Sequence, residues 1–167
     1  LNFRKSEQIS MPESDHQGLA ETYRGLGAVK WRKGDYAKAT KYYEQSVKFA
    51  KKIKAIDIIA GVFIEVGNLY NYKGELDKAI SHYQRALDML KKGGYLEAKA
   101  RAYNNIGDIY LQYKDWDKAI SFFKESERFA KESGSTYWLG WCHLNLAEAY
   151  AQKNKIDPAK VFMVSIM

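Results

Sequence analysis

The side chains of this chain that could do chemistry are three histidines, one cysteine and a scatter of carboxylates. His16, His82 and His143 stand far apart, and none has a Cys or a second His at the spacing that converges two ligands on one ion. The glycines form neither a Walker-type nor a Rossmann-type phosphate loop. Cys142 is alone, which excludes an intramolecular disulfide and suits a reducing, cytoplasmic setting. Flanked by apolar positions, it is expected as a buried, inert thiol. The acids fall in turns, caps and polar faces, and the 13 tyrosines recur at regular places that mark them as structural. No catalytic residue, metal ligand or cofactor is expected, and the chain does not read as an enzyme.

The elements that position these residues repeat. Gly27, Gly67, Gly107 and Ala147 recur every 40 residues, and so do Ala39, Ala79, Ala119 and Ala159. Two ladders locked to one period mean stacked copies of one supersecondary unit, each burying its apolar face against its neighbours. Within each copy a first apolar set is spaced by three and four residues: Tyr23 and Leu26; Phe63, Val66 and Tyr70; Tyr103, Ile106 and Tyr110; His143, Leu146 and Tyr150. That spacing predicts one face of an α-helix, with His143 as a packing residue. Polar breaks follow at Lys33-Gly34-Asp35, Lys73-Gly74-Glu75, Lys114-Asp115 and Asn154-Lys155. Gly34 and Gly74 suit a left-handed residue past a helix end. Asp77, Asp117 and Asp157 are expected as N-caps of a second helix, with Pro158 at its first position. That helix carries Tyr36, Ala39, Tyr43 and Val47 in the first copy. A mid-helix glycine costs about 1 kcal/mol relative to alanine. Its recurrence therefore predicts a close approach, with Gly27 of the first helix against Ala39 of the second.

Phe63, Val66-Gly67, Tyr70, Gly74, Leu76, Ala79, Tyr83 and Ala86 together resemble the tetratricopeptide repeat (TPR). The match is as good over Tyr103 to Ser126 and weaker over His143 to Ala159. Lys30 replaces the tyrosine, and Lys114 and Asn154 replace the turn glycine. The usual repeat is about 34 residues, so this longer one is similar to the extended subset of spindle-orientation adaptors, kinesin light chains and bacterial peptide-sensing regulators. The resemblance implies an all-α fold, a TPR-type α-solenoid of antiparallel helix pairs forming a right-handed superhelix. It divides the chain into a second helix of a truncated repeat (1–15), repeats at 16–55, 56–95 and 96–135, and a partial repeat at 136–167. Both ends fall inside repeats, as in a fragment of a longer array.

The resemblance also implies a concave groove lined by the first helices. Carried onto this chain, its places include Arg24, Trp31 and Arg32; Asn68, Asn71 and Tyr72; Arg101, Asn104 and Asp108; and Trp141 and Glu148. Trp31 and Trp141 are large for such places, as ligand anchors or as packing against an adjacent turn. Asn68 and Asn71, one helical turn apart, could grip the main chain of an extended segment. Ala28 and Glu65 stand where the chaperone-tail clamp of some family members has asparagine, so a chaperone carboxylate is not the expected ligand.

The net charge of +7 raises nucleic acid as a partner. Lys38, Lys41, Lys48, Lys51 and Lys52 fall on the second helix, the outside of such a stack, and no aromatic residues interleave with them to stack bases. No run approaches the roughly 18 apolar residues of a membrane span. The expected partner is therefore a protein or peptide segment, not a membrane or nucleic acid. End-to-end self-association through Phe3, Ile9, Val161, Phe162, Val164 and Ile166 is also expected. The leading reading is a protein-interaction scaffold, and the alternative is a ligand-sensing module of a larger signalling or transcription-regulatory protein.

Overall fold

The computed structural model describes residues 13–154. Among these the backbone forms seven α-helices and no strand: α1 (Glu13–Arg32), α2 (Tyr36–Lys52), α3 (Ile56–Tyr72), α4 (Leu76–Leu90), α5 (Leu96–Gln112), α6 (Trp116–Ser133) and α7 (Thr136–Lys153). Residues 13–15, expected to close the preceding helix, run with α1. The terminal residues expected to self-associate, and Asp157-Pro158, lie outside the described residues. The chain divides into two compact units, Leu1–Val62 and Phe63–Met167. In the first, α2 packs on α1; in the second, α5 packs on α4 and α6, and α7 on α6 and α5.

The turns fall at the predicted breaks. Gly34 and Gly74 are left-handed, with φ of 77° and 73°. Each turn closes with a hydrogen bond back into the first helix, from the amides of Asp35, Glu75 and Asp115 to the carbonyls of Lys30, Tyr70 and Tyr110, all at 2.9 Å. Lys114 adopts the same left-handed conformation, φ 59°, without being glycine. In α4 and α6 the N-cap stands two residues before the expected Asp77 and Asp117. Asp35 and Asp115 are the N-caps, each accepting from an amide three residues on at 3.2 Å. Glu75 holds the same place in α4 without a side-chain cap bond. Asp77, expected as a cap, instead accepts from the Tyr113 hydroxyl at 2.8 Å, and Asp117 pairs with Lys153.

The glycine ladder does mark a close approach, with a different partner. A Cβ at Gly27 would stand 2.6 Å from the Tyr43 ring, and one at Gly107 would stand 2.5 Å from the Phe123 ring; Gly67 lies against Tyr83 in the same way. Each bare backbone lets a fully packed aromatic ring lie on the first helix. Ala39, Ala79 and Ala119 are completely buried as well, but they are not what the glycines accommodate. Aromatic stacks recur around these contacts: Tyr23 on Phe49 at 5.6 Å, Tyr103 on Phe129 at 5.5 Å and Tyr110 on Phe122 at 5.2 Å. His82 fills the place of Phe122 and stacks on Tyr70 at 5.1 Å; burial, helped by Arg85, pushes its imidazole toward the neutral form.

Gly107→Ala should therefore destabilise the protein by about 1–3 kcal/mol, because the fully buried Phe123 ring would have to shift to admit the Cβ. Gly25→Ala, where a Cβ would meet nothing within 4 Å, should stabilise by about 0.5–1 kcal/mol through helix propensity alone. Denaturant unfolding of the pair is the check. Equal effects at the two sites would remove the contact from the explanation.

Candidate functional site

In the second unit the part of α3 from Phe63 on, α5 and α7, which are first helices of successive repeats, are joined by a ladder of side-chain amides. Asn68 Oδ1 accepts from the Tyr83 hydroxyl at 2.7 Å and from Asn105 Nδ2 at 2.8 Å. Asn71 Oδ1 accepts from Gln112 Nε2 at 3.0 Å. Asn145 Nδ2 donates to Asn104 Oδ1 at 3.0 Å and to Asp108 Oδ1 at 3.1 Å, while Asn104 Nδ2 reaches Asp108 Oδ2 at 3.4 Å. A buried polar group needs partners, and here neighbouring repeats supply them to one another.

The ladder sorts the predicted site residues. Asn104 is only 4% exposed and is engaged at both ends of its amide, so it joins repeats and is closed to a ligand. Asn68 and Asn71 use their oxygens in the ladder, and their Nδ2 donors have no acceptor among the described residues. Arg101 and Asp108 are half-buried, whereas Tyr72, Trp141 and Glu148 are exposed, Tyr72 to 70% and Trp141 to 45%. Arg24, Trp31 and Arg32 lie on α1 in the first unit, the first two half-buried and Arg32 exposed. Asn105 and Asn145 were not among the predicted residues. They stand one repeat period apart with identical side chains, which is the signal that marks them.

Asp108 is the perturbed group of this site. Burial first, and the nearby Glu148 charge second, push its carboxyl up to about 7. Its described hydrogen bonds come from two neutral amides, which compensate a charge poorly. The Tyr83 phenol is raised well above its ordinary range, mainly by burial and then by Asp108. Cys142 is buried, with its thiol also pushed up, chiefly by desolvation. Ser126 commits its single proton to the Ala100 carbonyl at 2.7 Å, so the Cys142 S–H donates to Ser126 Oγ across 2.9 Å. This is an inert structural thiol. His143, expected to pack, is exposed and lies 3.1 Å from Glu127. Among the described residues no group of His, Cys, Asp and Glu is placed to hold a metal ion, and no helix is long and apolar enough to cross a membrane.

The basic residues of the second helices are largely engaged. Lys38, Lys78 and Lys118 pair with the acids at the N-caps, and Arg128 and Lys131 pair with Glu125 and Glu127. Lys78, Arg85, Lys118 and Arg128 also lie over aromatic rings.

Residues 2–52 and 59–132 match the tetratricopeptide repeat family, and the chain belongs to it. The family is a non-catalytic type of repeat scaffold whose general role is protein–protein interaction. No curated protein matches the sequence. Among solved structures, BtubC (BKLC) from P. vanneervenii is 20% identical with a TM-score of 0.68, covering 89% of this chain and 68% of that one. A Signal Transduction ATPase with Numerous Domains (STAND) protein with a tetratricopeptide repeat sensor, from Pyrococcus horikoshii, is 23% identical with a TM-score of 0.69. The match covers 87% of this chain and 22% of that one. At these identities the likeness is one of fold.

Because Asp108 holds its proton more tightly folded than unfolded, its contribution to stability is full below the ordinary carboxyl value of 3.8 and is lost as pH rises through about 7. Asp108→Asn cannot take on that buried charge. Relative to the variant, wild type should lose on the order of a few kcal/mol between pH 4 and pH 8. Any fixed cost of the amide drops out of this difference, which thermal unfolding at several pH values reads. A pH-independent gap would mean that Asp108 titrates as an ordinary carboxylate.

Proposed function

We propose that the chain is a protein-interaction module that holds a peptide segment of a partner on the surface of its first helices. The observation that carries this reading is the exposure of Tyr72 and Trp141, 70% and 45%, at places where the repeat packing asks for no large side chain. Exposed aromatic surface beside amide donors is what peptide recognition uses. The Nδ2 groups of Asn68 and Asn71 offer hydrogen bonds to a main chain, Gln112 and Glu148 offer polar contacts, and Arg24, Trp31 and Arg32 provide a further set in the first unit. The pairing of Lys38, Lys78 and Lys118 with the acids at the caps supports this reading over nucleic-acid binding.

A second reading is a ligand-sensing module of a larger protein. It draws on the likeness to the STAND protein, whose tetratricopeptide repeats are described as a sensor. A change in the chain's dimensions by small-angle scattering on peptide binding would favour the sensor; unchanged dimensions would favour the scaffold.

Panning a displayed library of extended peptides on the immobilised chain tests the first reading. Peptides should be recovered whose affinity falls tenfold or more, about 1.4 kcal/mol, in Tyr72→Ala or Trp141→Ala. Lys51→Ala with Lys52→Ala should leave it unchanged. Sensitivity confined to the two lysines would move binding to the second helices.

A further inference from the structure

We propose that the seat of α7 on α5 is a proton-dependent joint: α7 is docked while the Asp108 carboxyl is protonated, and lifts away as that proton is lost. The joint works in this way whatever the first-helix surface binds.

The second unit carries its own control, because one amide hydrogen bond occurs there twice. Where α3 meets α5, Asn105 Nδ2 donates to Asn68 Oδ1 at 2.8 Å, and where α5 meets α7, Asn145 Nδ2 donates to Asp108 Oδ1 at 3.1 Å. Donors and acceptors each stand 40 residues apart. The donor is asparagine both times. The acceptor is a neutral amide at the first junction and an ionisable carboxyl at the second. At this rung of the ladder only the α5–α7 junction can change its charge.

The surroundings of Asp108 favour its neutral form. Its described hydrogen bonds come from Asn145 and, at 3.4 Å, from Asn104, both uncharged. No cation forms an ion pair with it among the described residues. The ionisable groups around it come from four helices. On α5 itself there is Arg101, which acts with Asp108 on the Tyr83 phenol of α4. From α7 come Glu148 and the Cys142 thiol, and from α6 comes Glu127, which acts with Asp108 on that thiol and is itself paired with Lys131. Burial and the Glu148 charge push the Asp108 carboxyl up to about 7. Part of the cover and all of that charge belong to α7, through Asn145 and Glu148. Lifting α7 returns the carboxyl to water and removes Glu148 from it, so one motion relieves both penalties. Proton affinity is higher docked than free. Docking is therefore strongest below the ordinary carboxyl value of 3.8, weakens as pH rises toward about 7 and levels off above it.

Cys142 can report the motion. It is the chain's single cysteine, fully buried on α7, with Sγ 2.9 Å from Ser126 Oγ, whose hydroxyl donates to the Ala100 carbonyl of α5. A dithiodipyridine reaches it when α7 lifts. Its reaction rate with the full chain is measured between pH 5 and pH 8, relative to a cysteine tripeptide at the same pH, which cancels the chemistry of the free thiol. The relative rate should rise about tenfold or more up to pH 7 and level off above, since linkage allows about tenfold per pH unit. Asp108→Asn, which repeats the chemistry of Asn68, should be flat. Hydrogen exchange, compared between wild type and variant at each pH, should differ in α7 and not in α2. A flat relative rate in wild type overturns the joint, and so does an equally steep rise in Asp108→Asn. An exchange difference shared equally by α2 and α7 also overturns it, because Asp108 would then act only on global unfolding.

Discussion

The contact between a bare stretch of first helix and an aromatic ring on the second holds each of the three described helix pairs in register. Gly27 with Tyr43, Gly67 with Tyr83 and Gly107 with Phe123 repeat one geometry in which the ring lies where a side chain would otherwise be. Glycine in a helix is costly, and the cost is offset because the ring gains dense contact with the backbone. The contact sets how closely the two helices approach and so where the tight turn must close. The caps at Glu75 and Asp115, two residues before Asp77 and Asp117, go with that closeness.

With the helix pairs fixed, the remaining freedom is how one pair meets the next, and in the second unit this junction is polar. Asn68, Asn105, Asn104, Asn145 and Asp108 exchange hydrogen bonds between first helices. Such bonds add little net stability when satisfied but are expensive to leave broken, so they specify alignment more than they add strength. Tyr83 belongs to both systems: its ring lies on Gly67 and its hydroxyl donates to Asn68. The cost of this junction sits at Asp108, whose charge two neutral amides do not compensate.

The surface proposed for binding combines the exposed Tyr72, Trp141 and Leu144, the donors of Asn68 and Asn71, and the carboxylate of Glu148. The lysine-rich second helices contribute less than their formal charge suggests, since many of their cations sit against acids or rings within the fold.

Periodicity alone determined the helices, their turns and the family resemblance, because a 40-residue recurrence of glycine, alanine and tyrosine has few physical explanations besides stacked helix pairs. It also showed that the glycines mark close contact, since an unfavourable residue repeated three times needs a compensating reason. Only the tertiary structure decided what the contact is: ring depth depends on side-chain packing, which spacing along the chain does not encode. The same holds for the site. Family positions named Asn68, Asn104 and Asp108 as one lining. Which amides are spent between helices, and which face outward, depends on the offset of one first helix against the next. Asn105 and Asn145 were visible as a matched pair, yet their role appears only when that offset brings them to Asn68 and Asp108.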